Sequence, residues 1–374
     1  MGKGSSSAKQ RELLSIQALR GFAALSVVLM HVCQYVDSRL SLPGLLPRFE
    51  IGAAGVDMFF VISGFVMVYA SRRFFAVPGG PRTFLLRRIA RIAPMYWIAT
   101  TIMLAYLVAQ YGADAAEAGV DARNIAASYL FAPNLPNQPI LTVGWTLNYE
   151  MFFYLVFGVL LIFPQRTAVT AIAAVFAMLV VIGALVAIPT AARFWFEPIL
   201  LEFVIGALVA HVYSRGLRLP RWVSLPMIAA AFGLLATSWR LGHAFTPHDW
   251  QRLLFWGLPA AVIVAACTLA NGAETSRLAA RGLWTRSVGA LGDASYSLYL
   301  FHFVTLPLPR IVLARFVQPL DAPWFYVVAT LAAATVPALI IYRFVEAPLT
   351  AWLQRVIEPA RASMPRKAEA SAAP

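Results

Sequence analysis

Apolar residues run in long blocks separated by short polar breaks along almost the whole chain. A helix that crosses a bilayer needs about 20 consecutive apolar residues, and ten blocks approach that length: 14–36, 53–72, 90–110, 143–163, 168–188, 195–213, 222–240, 252–271, 294–314 and 324–345. The weakest are 222–240, bounded by Pro220 and Trp239, and 294–314, interrupted by Pro307 and Pro309. The run 124–132 is too short to span and reads as a surface or re-entrant helix. The pattern therefore predicts an all-α integral membrane protein of about ten transmembrane helices. The chain divides into an N-terminal segment 1–12, a membrane domain 13–350 and a polar, disordered tail 351–374. The opening Met1–Gln10 lacks a signal-peptide pattern, and the first block is read as a retained span.

Composition agrees. Hydrophobic residues are 60% and charged residues 13% of 374 positions, against about 25% charged in soluble domains. The formal net charge of +13 would suggest nucleic acid in a soluble protein. Here it is topological. With the N-terminus inside, arginines such as Arg72, Arg73, Arg82, Arg87, Arg88, Arg215, Arg218, Arg277 and Arg281 fall in inner loops, and the outer loops hold few. Lys and Arg favour the cytoplasmic side, so both termini are expected there, in a bacterial inner (plasma) membrane, with lipid and not nucleic acid as the surrounding partner. Cys33 and Cys267 sit in apolar runs and read as small hydrophobic filling. The five histidines are scattered, so no metal site is expected.

An ionisable side chain inside a bilayer costs about 2.5–3.5 kcal/mol on insertion scales, so each one is a candidate for function. Arg20 and His31 lie in the first block. Eleven residues at about 100° each return to within about 20° of the start and rise ~16 Å, which puts both on one helix face. Asp57 begins the second span, in GAAGVDMFFVISGF (52–65), at His31's depth. There it is a candidate to orient the imidazole, or simply to satisfy helix N-terminal amides. Gly52, Gly55 and Gly64 permit close helix contact, and Ser63 is a further candidate for the pocket. Glu150, in VGWTLNYEMFFY (143–154), is expected to pair with His31 for acid/base activation of a hydroxyl. Glu202 reads as structural. On the other side, Arg87, Arg88 and Arg91 precede the third span; such clusters suit phosphate or anchor anionic lipid. A cationic inner mouth and a His/Asp/Glu outer chamber would suit a donor with a phosphorylated head and a long thin arm. Acyl-CoA has that shape. His31 would then take the proton of the attacking hydroxyl, or carry the acyl group itself. A transporter or flippase of a glycan precursor is the rival reading, since buried charges also line substrate paths.

LLSIQALRGFAALSVVLMH (13–31), GVDMFFVISGF (55–65), RRIARIAPMYW (87–97), WTLNYEMFF (145–153), EFVIGALVA (202–210) and SYSLYLFH (295–302) occur in this order. Together they resemble the acyltransferase-3 family of integral membrane acyltransferases, most of all its members in exopolysaccharide production. The resemblance implies ten core helices and no bound cofactor. Acetyl-CoA is the implied donor substrate, and the implied acceptor is a polysaccharide or a lipid-linked oligosaccharide. Other polysaccharide-synthesis proteins are implied partners. It gives His31 a catalytic role and Arg20 a supporting one, and it implies site roles for Asp57, Arg88, Arg91, Tyr96, Trp145 and Glu150. His302 is placed along the donor or acceptor path. Family members often carry a further extracytoplasmic domain, which is not expected after 350 here.

Overall fold

The computed structural model describes residues 3–39, 49–117, 119–135, 137–240, 245–270, 282–313 and 322–357. They fold into helices: α1 (Lys3–Arg39), α2 (Ala54–Ala70), α3 (Gly80–Tyr111), the short α4 (Ala122–Tyr129), α5 (Gly144–Leu160), α6 (Gln165–Leu185), α7 (Leu200–Ser214), α8 (Arg221–Arg240), α9 (Trp250–Leu269), α10 (Leu283–Asp293), α11 (Ser295–Thr305), α12 (Leu308–Leu313) and α13 (Pro323–Ile357). Extended pairing among the described residues is limited to two isolated bridges, Asn134 with Asn137 and Leu219 with Ala270. The chain is an all-α, multi-pass membrane protein.

All ten predicted blocks fall on helices, and eight helical stretches are long and apolar enough to cross a membrane. The other two are informative. α5 stops at 17 residues. The 294–314 block is cut in two at Leu306–Pro307, because proline cannot supply the backbone N–H that a helix interior needs. The 124–132 run forms α4, capped by the Asp121 carboxylate accepting from the Asn124 amide at 2.8 Å. One boundary moves: α13 continues to Ile357, so 351–357 is helix and not tail. Residues 271–281, with Arg277 and Arg281, and residues 358–374 lie outside the described residues.

α2 is the hub. Of its most apolar stretch 78% is buried, against 22% for α8 and 28% for α6, so those two face lipid. Small residues bring α2 against its neighbours. Gly64 sits on the Phe203 carbonyl of α7, and Gly206 of α7 sits on the Val61 carbonyl of α2, where a Cβ on either would collide with backbone. Gly52 and Gly55 lie equally close to the Ser26 and Ala23 carbonyls of α1, as expected for membrane helices that associate by close packing of small residues. α1 uses two faces. Ile16, Leu19, Ala23 and Val27 join the main core, while Ala24, Val28, Val32 and Val36, four apart, pack with Leu298, Tyr326, Ala334 and Ala338 of α11 and α13.

Two helices carry a π turn, Leu253–Gly257 in α9 and Tyr342–Glu346 in α13. Such turns often mark functional or strained places in a helix. One begins directly after Arg252 and the other ends on Glu346, and both side chains are buried.

Candidate active site

A cleft of about 800 Å³, counted to its open mouth, lies among α1, α2, α3, α5 and α11. Arg20, Arg88 and Arg91 line one end, and Val56, Phe59, Thr146 and Tyr299 the other. Ser63, Glu150 and Tyr154 stand between them.

The arginine end is built from several helices. Arg20 donates to the Gln17 side-chain oxygen at 3.3 Å, and Gln17 in turn donates to Asp293 at 2.6 Å, tying α1 to the end of α10. Glu346 of α13 accepts from Ser297 at 2.6 Å and adds negative charge near Arg20 and Arg91. Arg88 lies over the rings of Phe84 and Tyr154, at 5.6 and 5.7 Å. Among the described residues no carboxylate comes within ion-pairing distance of Arg20, Arg88 or Arg91. Three half-buried guanidinium groups thus face open space with only remote counter-charges. That is the electrostatics of an anion site. Arg87, expected in the same cluster, turns away and stacks on Phe74 at 5.6 Å, outside the cleft.

Glu150 does not join His31. Thr146, Glu150 and Tyr154 recur every four residues and form one stripe on α5 facing the cleft. Glu150 accepts hydrogen bonds from Ser63 at 2.9 Å and from the Tyr154 hydroxyl, on the side of Arg88 and Arg20. Thr146 meets the Tyr299 hydroxyl at 2.9 Å. α11 runs away from the arginine end, so His302, three residues past Tyr299, and Glu150, four residues past Thr146 on the antiparallel α5, diverge by about 10 Å along the bundle. The expected His31–Glu150 acid/base pair is therefore replaced. His31 Nδ1 stands 3.1 Å from His302 Nε2, and the Phe303 ring packs on His31 at 4.7 Å between centroids. Phe59 and Tyr299, 5.8 Å apart, close the cleft one helical turn short of this pair.

Asp57 does not orient His31 either. Both its oxygens accept from Arg252, from Nε at 3.0 Å and Nη2 at 2.8 Å, in a fully buried fork. Arg252 also donates to the Phe245 carbonyl at 3.1 Å and lies over Trp256 and Trp145, at 5.1 and 5.8 Å. Glu202 completes this node beside Asp57 and against Gly257, where a Cβ would crowd its carboxylate. Trp145 thus belongs to the ion-pair node. Tyr96 is buried beneath Phe131, at 4.7 Å, and against Gly144, away from the cleft. The sequence reading missed Arg252, Tyr154, Tyr299, Asp293 and Glu346. One signal was available: two acids at similar depth, Asp57 and Glu202, demand a buried cation, and Arg252 opens an apolar run.

An arginine-lined cleft that ends near the half-buried His31 and the buried His302, inside a helical membrane bundle, fits the class of membrane-embedded enzymes. The comparisons make the class specific, because residues 13–343 match the acyltransferase-3 family, described as an acyltransferase domain. The chain belongs to the acyltransferase-3 family and is a membrane O-acyltransferase. It is 33% identical over 313 residues to the exopolysaccharide production protein ExoZ of Rhizobium meliloti (strain 1021), covering 81% of this chain and 90% of that one. It is 26% identical over 323 residues to the acyltransferase MdmB of Streptomyces mycarofaciens, 79% of each. With the O-acetyltransferase OatA of Staphylococcus aureus (strain NCTC 8325 / PS 47) it shares 24% over 370 residues, 91% of this chain but 57% of OatA. No solved structure matches.

Proposed function

We propose that this enzyme moves an acetyl or other short acyl group from acyl-CoA to a hydroxyl of an exopolysaccharide or its lipid-linked precursor. The observation that carries the reading is the polarity of the cleft. Arg20, Arg88 and Arg91 lie at one end and the His31–His302 pair lies just past the other. Arg20 and His31 are separated by ~16 Å of α1 rise. A phosphorylated head held by guanidinium groups would extend its thin arm along this distance and present the thioester near His31. The positive-inside bias supports a cytoplasmic arginine end, where acyl-CoA is available, and an inner-membrane location goes with this reading.

In the reaction, His31 Nε2 takes the proton of the acceptor hydroxyl as its oxygen attacks the thioester carbonyl. The C–S bond breaks, and the departing thiolate recovers the proton from the imidazolium. Proton transfer by a positioned imidazole is worth about 10²–10⁴-fold in rate. The exopolysaccharide acceptor rests on the likeness to ExoZ.

The test is acyl transfer from radiolabelled acetyl-CoA by purified protein in liposomes, supplied with glycan from the cell envelope. Wild type should consume donor and label glycan, and His31→Ala, inserted and folded as wild type, should lose at least about 100-fold. Unchanged transfer by His31→Ala would remove the histidine from the chemistry. Absence of donor consumption by wild type would remove acyl-CoA.

A further inference from the structure

We propose that His302 is a positioning residue that sets the tautomer of His31, with two backbone carbonyls of α11 anchoring the far end of the chain of hydrogen bonds. The inference rests on the reading of His31 as the base and adds how the base is held in its working form.

His302 Nδ1 lies 2.8 Å from the Tyr299 carbonyl and 3.2 Å from the Leu298 carbonyl. A carbonyl oxygen only accepts, so Nδ1 of His302 carries the hydrogen. A neutral imidazole has one N–H, which leaves a lone pair on His302 Nε2. That lone pair faces His31 Nδ1 at 3.1 Å. For the uncharged pair, one arrangement satisfies all three contacts: His31 donates from Nδ1. Its second nitrogen, Nε2, then carries the lone pair, the atom that a base needs; the Val27 carbonyl, one turn back on α1, is a further hydrogen-bond acceptor beside this imidazole.

The surroundings make this a built device. His302 is fully buried, and its ring is flanked by Tyr299 at 6.2 Å and Phe303 at 4.6 Å between centroids. α11 supplies His302, both carbonyls and Phe303 from six consecutive residues, so the helix register itself fixes the tautomer. When Nε2 of His31 takes the hydroxyl proton, the ring becomes cationic and its Nδ1–H bond to His302 becomes charge-assisted and stronger. The proton leaves again to the thiolate, and the pair returns to its starting form. The roles match those of an orienting group behind a catalytic imidazole, filled here by a second imidazole and main-chain carbonyls.

The experiment uses the full chain reconstituted in bilayers. His302→Leu removes the acceptor and should lower kcat about 100-fold, with the donor KM within about two-fold of wild type. His302→Gln, whose side-chain oxygen reaches the place of Nε2, should recover at least about ten-fold of that loss. In parallel, solid-state ¹⁵N spectra of histidine-labelled wild type, assigned by the His31→Ala and His302→Leu variants, should show His31 and His302 both protonated at Nδ1. That spectrum needs no mutant activity, and where a variant folds poorly His302→Gln supplies the assignment. The proposal is overturned if His302→Leu keeps kcat within about three-fold, if the Gln variant is no better than the Leu variant, or if wild-type His31 is protonated at Nε2. An inactive His31→Ala with an active His302→Leu sinks only the positioning role. A fully active His31→Ala sinks the base on which it rests.

Discussion

The charge groups around Asp57 and around Arg20 both lie within this bundle, and they differ in what surrounds them. The Asp57–Arg252–Glu202 node is closed: the ion pair is buried, bidentate and walled by Trp145 and Trp256. The arginine end of the cleft is open. Arg20, Arg88 and Arg91 border empty volume, and their counter-charges, Glu150, Glu346 and Asp293, are each engaged by a hydroxyl or amide at some remove. The same side-chain chemistry serves opposite ends. Where charges neutralise one another without space, they hold helices together. Where positive charge is left facing a cavity, it is open to a ligand, the role proposed for this end.

Breaking the closed node should have the largest effect. Arg252→Ala strands the buried Asp57 carboxylate, and removing one partner of such a pair costs about 3–5 kcal/mol. The expected result is a thermal transition lowered by many degrees, with the donor KM of the surviving folded fraction unchanged. Adding Asp57→Asn to Arg252→Met should restore much of the loss, because the uncompensated charge is gone. A single variant as stable as wild type would show that the fork contributes nothing to the fold.

The open end should respond in the other parameter. Arg88→Ala with Arg91→Ala removes two guanidinium groups, and hydrogen bonds to charged groups are worth about 1.5–3 kcal/mol each. The donor KM should rise at least about 100-fold, with stability and acceptor KM little changed. Equal weakening for donor and acceptor would return this cluster to the role of a lipid anchor.

The contrast also explains what the sequence could convey. Hydrophobic runs located every membrane-length helix but not the short α10, and the glycines of α2 announced close contacts that Gly64 and Gly55 make. The Arg20–His31 spacing put both on one face of α1, and the structure finds Arg20 in the cleft and His31 one turn past its end. Depth along single helices was therefore legible. Azimuth between helices was not. Asp57 and His31 share a depth, but α2 turns Asp57 toward α9 and α7, so its partner came from a segment almost two hundred residues away. Glu150 was judged from its distance to the loop, whereas its neighbours Thr146 and Tyr154 show the stripe that decides its company. Arg87 and Arg88 are adjacent in sequence, and a 100° step separates cleft from outer wall.

Glu150 gives the finest test of the comparison, because it belongs to the open region yet carries a carboxylate that sequence alone would make catalytic. Its oxygen is already occupied by Ser63 and Tyr154, and Tyr154 lies under Arg88. About 10 Å of helix rise separates it from the histidine pair. As a counter-charge it holds Tyr154 and tempers the potential of the three arginines. Glu150→Gln keeps an acceptor for both hydroxyls and removes one negative charge. The cleft then becomes more positive, and a charge change at this range is worth about 1 kcal/mol in a partly solvated cleft. The donor KM should fall about five-fold, with kcat within about three-fold of wild type. Were Glu150 the acid or base, the same substitution would lower kcat about 100-fold or more at unchanged donor KM. Steady-state kinetics with varied acyl-CoA separates the two, and a collapse of kcat would draw Glu150 back to the chemistry at His31.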